Sequence, residues 1–330
     1  GATGSNEPRG DAFDVDYVAH EMGHQFGANH TFNATTESCH NNRNPTTAYE
    51  PGSGSTIMGY AGICGPSDLQ RNSDSYFHVA SLEEILDYVT SEEVRAVPRL
   101  TRTNNRPPAV VAGQRFVVPK GTPFRLDAVG TDADGDVVTF DWEQFDLGKE
   151  SPPDDDGDEA RPIFRSFNPS KAAARFFPLL ESLTAGRLPP GEALPARTRQ
   201  MSFRVTGRDN RSGGGGVSVA DATVSVITDS GPFVVNGPAA AAAWTVGTRQ
   251  AVAWSVAGTS AAPVNCGRVR VSLSTDGGKT FTVLVPSTPN TGSAAVTVPN
   301  TPTERARVMV EAVDNAFFNL SPGDFRVVRK

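Results

Sequence analysis

One stretch of 11 residues limits the fold of this chain more than any other feature of its sequence. Residues 20–30 read HEMGHQFGANH and contain three of the chain's five histidines. His20 and His24 are four residues apart, so a helix places both imidazoles on one face, with Glu21 beside them. Gly27 lets the chain leave that helix sharply, and the turn brings His30 back to the same point. The spacing therefore predicts a helix and a tight turn that together gather three nitrogen atoms.

Three imidazoles gathered at one point are typical of a zinc site. Zinc accepts tetrahedral coordination by histidine nitrogen, and three protein ligands leave the fourth position open for water or substrate. An open site of this kind is catalytic in type, whereas a structural zinc site is closed by four protein ligands. The residues predict a Zn²⁺ ion bound by His20, His24 and His30. The alternative, three structural histidines that merely lie close in sequence, is disfavoured by the glutamate beside the first of them.

The same stretch resembles the His-Glu-x-x-His-x-x-Gly-x-x-His signature of the metzincin zinc peptidases, which a downstream methionine turn completes. Residues 55–60, STIMGY, are similar to that turn and match its methionine with Met58. In the family this methionine forms an apolar floor beneath the metal without binding it. GANHTF around His30 and GSTIMGYAGIC around Met58 resemble the reprolysin or adamalysin branch, especially its bacterial members, over about residues 11–97. Thr31 departs from the animal adamalysins, which commonly have Asp after the third histidine.

The resemblance implies a secreted zinc endopeptidase that acts on protein or peptide substrates. Zinc polarises the scissile carbonyl and lowers the pKa of bound water, and Glu21 is placed to accept the proton and deliver it to the leaving amine. Tyr60 matches a tyrosine that reaches the zinc in the astacin and serralysin branches. It is a candidate zinc ligand or oxyanion donor, and an ordinary packed tyrosine is the open alternative. His40 and His78 are interpreted as structural.

The three cysteines bear on the compartment in which the chain folds. Cys39 and Cys64 lie 25 residues apart, on either side of the loop between the third histidine and the methionine turn, and are predicted to form a disulfide. Such a bond is typical of an oxidising compartment, so the chain is predicted to be secreted or extracellular, with attachment to the cell surface left open. A bacterial origin is what the family resemblance implies. Cys266 is left over and is predicted to be free.

Two helices are predicted in the N-terminal region. The first begins near Asp14 or Asp16, whose carboxylates suit the positive end of the helix dipole, and stops at Gly27. The second begins at Ser81, where Ser81 and Glu84 match the Ser-x-x-Glu pattern of a capping box. Long irregular loops are expected between them, because that segment is rich in Asn, Thr, Ser, Gly and Pro.

The remaining composition favours a β-rich chain. With 32 Gly and 25 Pro among 330 residues, the protein is predicted to be rich in loops, with few helices. Residues 101–108, TRTNNRPP, are interpreted as a stiff linker, beyond which the hydrophobic period changes to two. The predicted fold is an α+β, zincin-type lower catalytic subdomain of helices and long loops, followed by two all-β immunoglobulin-like sandwiches. The predicted domains are a metzincin catalytic region over 1–100, a sandwich with a long insertion over 107–229, and a second sandwich over 230–330.

The two β modules carry weaker signals. The first resembles PKD-like or cadherin-like modules through TDADGDVVTFDWEQ and FRVTGRDN. Asp132, Asp134 and Asp136 alternate as the ligands of a Ca²⁺ ion could, and a solvated hairpin turn is the favoured alternative. The acidic run over 154–159 is interpreted as a solvated loop. The last domain resembles the β-sandwich that follows the catalytic domain in secreted bacterial peptidases, so substrate binding, surface attachment or spacing are its expected roles.

Charge and hydropathy exclude two classes of partner. The chain has 37 acidic and 30 basic residues and a net charge of −7, which provides no basic surface for a nucleic-acid backbone. No run approaches the roughly 18 to 20 apolar residues that a membrane span needs. The sequence leaves the oligomeric state open.

The position of the histidine motif raises an alternative function. Only 19 residues precede His20, too few for a multi-stranded sheet of strands that average about five to six residues. The metzincin resemblance implies such a sheet, whose edge pairs with substrate. The prediction is therefore a chain that binds zinc weakly and cleaves poorly alone. In the alternative, the chain is an incomplete fragment whose two sandwiches serve as a substrate-binding or surface-adhesion module.

Overall fold

A computed structural model describes residues 8–95, 101–113, 115–155 and 160–330 of the chain. Helices and long loops occupy the described part of the first 95 residues, and strands predominate from residue 109 onward. The predicted fold class is confirmed. Both ends of the first predicted domain lie outside the described residues, and the domain boundaries stay predictions. None of the helices in these ranges is long and apolar enough to cross a membrane.

The helix of the histidine motif is continuous but not uniform. Helix α1 (Asp11–Phe13), a π-helical turn (Asp14–Ala19) and helix α2 (His20–Gln25) follow one another without a break. The helix starts ahead of both predicted starting residues, because a third aspartate already lies in its first turn. The wider π turn ends directly before His20, and such turns occur frequently at functional sites. Gly27 ends the helix as predicted, with φ of 91°, a conformation that glycine adopts without steric cost.

The second helix, α3, spans Val79–Thr90, so the predicted start at Ser81 is wrong. His78 is the N-cap, and its Nδ1 accepts a hydrogen bond from the second backbone N–H of the helix at 3.1 Å. The Ser81 side chain is buried within the first turn. Glu84, the second residue of the predicted capping box, reaches instead to the loop that follows helix α2. The short helix α4 covers Glu92–Arg95.

Between helices α2 and α3 the chain forms loops with two 3₁₀ turns, at Glu37–Cys39 and Gly65–Ser67. The predicted disulfide between Cys39 and Cys64 is present, with Cα atoms 5.3 Å apart. Both cysteines are fully buried and pack against Phe32 in a small apolar cluster. A bridge across 25 residues restricts the unfolded chain and stabilises the fold by about 3 to 4 kcal/mol. The bridge thus ties the two ends of this loop region together.

The pairing of the cysteines predicts the outcome of a thiol titration. Cys266 is free and 3% exposed, and burial raises the pKa of its thiol to about 11. We expect no reaction of the native protein with a thiol reagent at pH 8, because neither access nor the thiolate is available. We expect one reactive thiol per chain after denaturation and three after denaturation with reduction. Three thiols without reduction would contradict the disulfide, and rapid native reaction would contradict the burial of Cys266.

The strands between residues 109 and 227 form the first sandwich. One sheet has the order β1-β3-β5 and the other has the order β2-β7-β6-β4, and every neighbouring pair is antiparallel except β2 with β7. Phe124 of the first sheet packs against Phe203 of the second, with ring centroids 5.6 Å apart. The core therefore lies between the two sheets. The elements are β1 (Ala109–Ala112), β2 (Arg115–Pro119), β3 (Phe124–Thr131), β4 (Thr139–Gln144), β5 (Ala174–Phe177), α5 (Leu180–Ala185), β6 (Arg199–Arg208) and β7 (Val217–Ile227).

The strands after residue 233 form the second sandwich. Its sheets have the orders β13-β10-β8 and β12-β11-β14-β16-β9, with β15 also paired to β14. Trp254, Val271 and Phe325 are buried in the same apolar cluster, which continues into the first sandwich. The two sandwiches therefore share one core. The strands are β8 (Val234–Gly237), β9 (Ala243–Thr245), β10 (Arg249–Ser255), β11 (Arg268–Ser274), β12 (Thr282–Pro289), β13 (Ser293–Thr297), β14 (Thr303–Ala312), β15 (Phe318–Leu320) and β16 (Phe325–Val328).

The long insertion of the first sandwich lies against the N-terminal region. Arg43 donates a hydrogen bond to the Gly148 carbonyl at 2.6 Å, and the Ser55 hydroxyl donates to the Ser166 carbonyl at 3.1 Å. Ser55 belongs to the methionine turn, so the sandwich supports the loops that surround the histidine motif. Residues 156–159 of the acidic run lie outside the described residues, so its predicted role as a solvated loop stays a prediction.

Candidate metal centre

Helix α2 and the turn after it bring the three predicted ligands together. His20 and His24 lie on one face of the helix, and their Nε2 atoms are 3.1 Å apart. The Nε2 atom of His30 lies 3.2 Å from that of His20 and 3.1 Å from that of His24. Among the described residues, these are the only three histidine, cysteine or acidic side chains whose ligand atoms all lie within 4.8 Å of one another.

The hydrogen bonds of the three rings show which nitrogen atoms are available to a metal. In each ring Nδ1 lies 2.6 to 2.8 Å from a backbone carbonyl oxygen. A carbonyl only accepts, so each Nδ1 carries the hydrogen and each Nε2 presents a lone pair. The pairs are His20 with the Ile57 carbonyl, His24 with the Ala28 carbonyl and His30 with the Asn42 carbonyl.

Three lone pairs that face one another repel unless a cation lies between them, so the short Nε2 contacts are not hydrogen bonds. A tetrahedral zinc ion with Zn–N bonds of about 2.0 to 2.1 Å separates its nitrogen ligands by about 3.3 to 3.4 Å. The observed separations of 3.1 to 3.2 Å are close to that value. The backbone carbonyls also hold the rings in the tautomer that a metal requires. The residues present therefore fit a zinc ion.

Burial favours the neutral form of two of the three ligands. His20 is 5% exposed, and burial lowers its pKa, against the opposing effect of the Ile57 carbonyl. Burial likewise lowers the pKa of His30 to about 4, although the Asn42 carbonyl opposes the shift. Only a neutral imidazole binds a metal, so protons compete for these two nitrogen atoms at a lower pH than for a free imidazole.

Glu21 lies beside the metal cluster on a cavity. The cavity has a volume of about 320 Å³, and His20, Glu21 and Tyr60 line it together with apolar side chains that include Tyr17 and Ile63. Glu21 itself is half-buried. The predicted catalytic glutamate thus faces a space large enough for part of a peptide, next to the first ligand.

Tyr60 also lies at the metal cluster, as its position after the methionine turn predicts. Its ring centroid is 4.6 Å from that of His30 and 5.5 Å from that of His20, and it packs on Phe32. Burial raises the pKa of its hydroxyl, and the charge of Glu21 raises it further. The hydroxyl therefore stays protonated at neutral pH and is available as a hydrogen-bond donor.

Met58 lies beneath helix α2. It is fully buried, and its cluster includes Ile57 and Ala28 together with side chains from the helix. A Cβ atom at Gly23 would overlap the Met58 Sδ atom and would come within 3.0 Å of Phe77. Glycine between the first two ligands therefore allows the methionine to approach the helix backbone closely.

Asp132, Asp134 and Asp136 lie in the loop between strands β3 and β4. These strands belong to different sheets, so the loop is not the hairpin turn that the sequence favoured, and arginines neutralise two of the three aspartates. Asp134 accepts from Arg106 at 2.7 Å, and Asp136 lies 3.4 Å from Arg211. Asp132 Oδ1 accepts the backbone N–H groups of the other two aspartates at 2.7 and 3.1 Å. The structure thus provides no support for a Ca²⁺ ion at this position, in keeping with the sequence analysis, which favoured a solvated turn over an ion site there.

A contact between helix α3 and the turn of His30 escaped the sequence analysis. Glu84 accepts two hydrogen bonds from Asn29, at 2.8 Å from the backbone N–H and at 2.6 Å from the side-chain amide. Asn29 directly precedes His30, so this contact holds the turn that carries the third ligand. The pair is 55 residues apart, and no local pattern could have indicated it.

With its three imidazoles, the adjacent glutamate and the buried methionine, the N-terminal region is similar to a family of metallopeptidases. A family profile described as "Metallo-peptidase family M12B Reprolysin-like" matches residues 1–88. The match confirms the resemblance found in the motifs around His30 and Met58. It covers this region and not the two sandwiches. No curated protein matches the chain significantly.

Solved structures of tandem immunoglobulin-type and fibronectin-type domains are similar to the β-rich part of the chain. "Tandem Ig repeats of Dlar" is 11% identical, with a TM-score of 0.34, and the alignment covers 68% of this chain and 98% of that one. The chicken CNTN1 FN1–FN3 domains are 13% identical, with a TM-score of 0.24 and coverage of 70% and 68%. The titin domains z1z2, solved in complex with telethonin, are 13% identical, with a TM-score of 0.20 and coverage of 69% and 100%. These scores are low, and the strand order of the chain itself defines its two sandwiches.

Proposed function

We propose that the N-terminal region is a zinc-dependent endopeptidase of the metzincin type. The observation that carries this proposal is the convergence of three Nε2 lone pairs, each oriented by a backbone carbonyl, beside a glutamate. A zinc ion bound by His20, His24 and His30 would supply Lewis-acid polarisation of the scissile carbonyl and a lower pKa for water. Side chains of the chain itself perform the remaining tasks.

Glu21 is the proposed general base and acid. From the cavity next to His20 it can take a proton from the attacking water and later give that proton to the leaving amine. Tyr60 is the proposed oxyanion donor, because its protonated hydroxyl belongs to a ring that packs on two of the ligands. Met58 supports the helix from below.

Secretion and accessory roles complete the proposal. The disulfide between Cys39 and Cys64 supports an oxidising, extracellular location. The two sandwiches are proposed to bind substrate, to attach the protein to a surface or to hold the peptidase region at a distance from it. Contacts such as that of Ser55 with Ser166 support a further role of the first sandwich in bracing the methionine turn.

The experiment that tests this function combines metal content with cleavage. We expect elemental analysis of the full chain to find one zinc ion per chain. We also expect slow cleavage of an unfolded protein substrate that stops when a chelator is added and returns when zinc is restored. The restoration step is the control, because it separates loss of the metal from inhibition by the chelator itself.

Two other outcomes would contradict the proposal in different ways. Zinc without cleavage would favour the incomplete fragment, in which the sandwiches bind substrate or a surface. Absence of zinc from a folded chain would contradict the metal centre itself.

A further inference from the structure

A buried carboxylate lies close to the metal centre but outside it. Glu50 is 1% exposed and belongs to the loop between His30 and Met58. Within the described residues it forms no salt bridge, although it interacts electrostatically with Arg165 at longer range, so its direct polar contacts are hydrogen bonds. Burial of a carboxylate costs free energy unless its oxygen atoms accept hydrogen bonds. The donors to Glu50 therefore show which segments of the chain it holds together.

Both oxygen atoms of Glu50 are bonded to residues that flank the metal site. Oε1 accepts from the hydroxyls of Thr31 and Thr56, at 2.6 and 2.5 Å. Oε2 accepts from the backbone N–H groups of Ser55 and Thr56, at 2.8 and 3.2 Å. Bonds to an ionised carboxylate are stronger than bonds between neutral groups.

The residues that donate to Glu50 belong to two segments of the metal site, one at Thr31 and the other at residues 55–56. Thr31 directly follows His30. Thr56 directly precedes Ile57, whose carbonyl oxygen accepts the Nδ1 hydrogen of His20. The Glu50 carboxylate therefore bonds to Thr31, which follows the ligand His30. It also bonds to Thr56, which precedes the residue whose carbonyl orients His20.

Backbone hydrogen bonds bring the same segments together. The Glu50 N–H donates to the Thr31 carbonyl at 2.8 Å, and the Thr31 N–H donates to the Met58 carbonyl at 3.2 Å. The backbone hydrogen bonds thus hold the segments of Thr31, Glu50 and Met58 side by side. The Glu50 carboxylate fixes the position of these segments relative to one another next to the metal ligands.

We infer that Glu50 is a positioning residue of the metal centre, which holds the segments of His20 and His30 in the arrangement that binds zinc. This inference rests on the proposed zinc site. Groups that orient ligands typically change metal affinity by about 10- to 100-fold when they are replaced. Glu50 acts through Thr31 and the methionine turn and does not contact the metal.

The test is the variant Glu50→Gln in the full chain, which keeps the shape but replaces one acceptor oxygen with a donor. We expect zinc affinity, measured by competition with a chromophoric chelator, to fall about 10- to 100-fold. We also expect the visible absorption of the Co²⁺-loaded protein to change at saturating cobalt, because the ligand geometry changes. A spectral change at saturation reports geometry and not stability.

Glu192→Gln is the matched control. Glu192 is also buried, 2% exposed, but it lies in the first sandwich, where it pairs with Arg175. We expect this variant to lose stability while keeping the zinc affinity and the cobalt spectrum of the wild type. An equal loss of affinity in both variants would overturn the inference, because general destabilisation would then explain it.

A second pair of variants keeps the inference testable if Glu50→Gln does not fold. Thr31→Val removes one donor to Glu50, and Thr31→Ser retains a hydroxyl there. We expect weaker zinc binding and an altered cobalt spectrum in the first and rescue in the second. If Glu50→Gln or Thr31→Val kept the zinc affinity and the cobalt spectrum of the wild type, this inference would be overturned, but the proposed zinc site would not. A wild-type chain that binds no zinc would overturn the proposed function as well.

Discussion

Replacement of Glu21 by glutamine is expected to reduce kcat/KM for peptide cleavage by about 10²- to 10⁴-fold, the usual contribution of a general base or acid. The amide has nearly the same shape but cannot accept the proton. Glu21 lines the cavity beside His20 and is not one of the converging ligands. Zinc content is therefore expected to stay at one ion per chain. The measurement is the initial rate of cleavage of a quenched fluorescent peptide, with zinc determined on the same sample.

Glu93→Gln is the matched control for this prediction. Glu93 is an exposed glutamate of helix α4 in the same region, so the same change of charge there is expected to leave the rate unchanged. Full activity of Glu21→Gln would exclude Glu21 as the base. If Glu21→Gln lost zinc as well as activity, Glu21 would be needed to hold the metal, and the result would not support a role in proton transfer.

Replacement of His20 by alanine is expected to lower zinc affinity more than a hundredfold and to abolish cleavage. Structural zinc sites with four protein ligands bind the ion with about 10 to 16 kcal/mol, or about 3 kcal/mol per ligand. A similar loss for one of the three ligands here corresponds to a factor above 100. The loss is larger than for Glu50→Gln because a direct ligand is removed. Equilibrium competition with a chelator measures the affinity, and the melting temperature with and without zinc measures the coupling to folding.

His40→Ala is the matched control for the ligand prediction. His40 is exposed, lies next to the disulfide and is not a member of the converging group. We expect it to bind zinc as the wild type does. Equal affinity of His20→Ala and the wild type would show that zinc binds elsewhere, and equal losses in both variants would point to a fold effect.

The sequence predicted the features of the metal centre that depend on local spacing. Two histidines four residues apart share a face of any helix, and glycine at position 27 permits the turn whatever surrounds it. The disulfide was also predicted, because only two cysteines lie in the N-terminal region. Alternating strands beyond the linker predicted the two sandwiches. Each of these inferences uses residues that are close in the chain or few in number.

Predictions failed or were incomplete where distant residues compete for the same position. Ser81 matches a capping box, but His78 caps helix α3, since the buried packing of this segment places the N-cap three residues earlier. The aspartates of the first sandwich alternate as cation ligands do, but arginines from other loops neutralise two of them. A local pattern carries no information about such partners.

The sequence by itself determined which groups can bind zinc and which residue can move a proton, because helical periodicity and side-chain chemistry are local properties. Only the tertiary structure decided how those groups are oriented. The carbonyls of Ile57 and Asn42 select the tautomers, and Glu50 joins the segments of His20 and His30. These contacts span 6 to 37 residues, mostly of loop without periodicity, so their formation depends on the packing of the whole region.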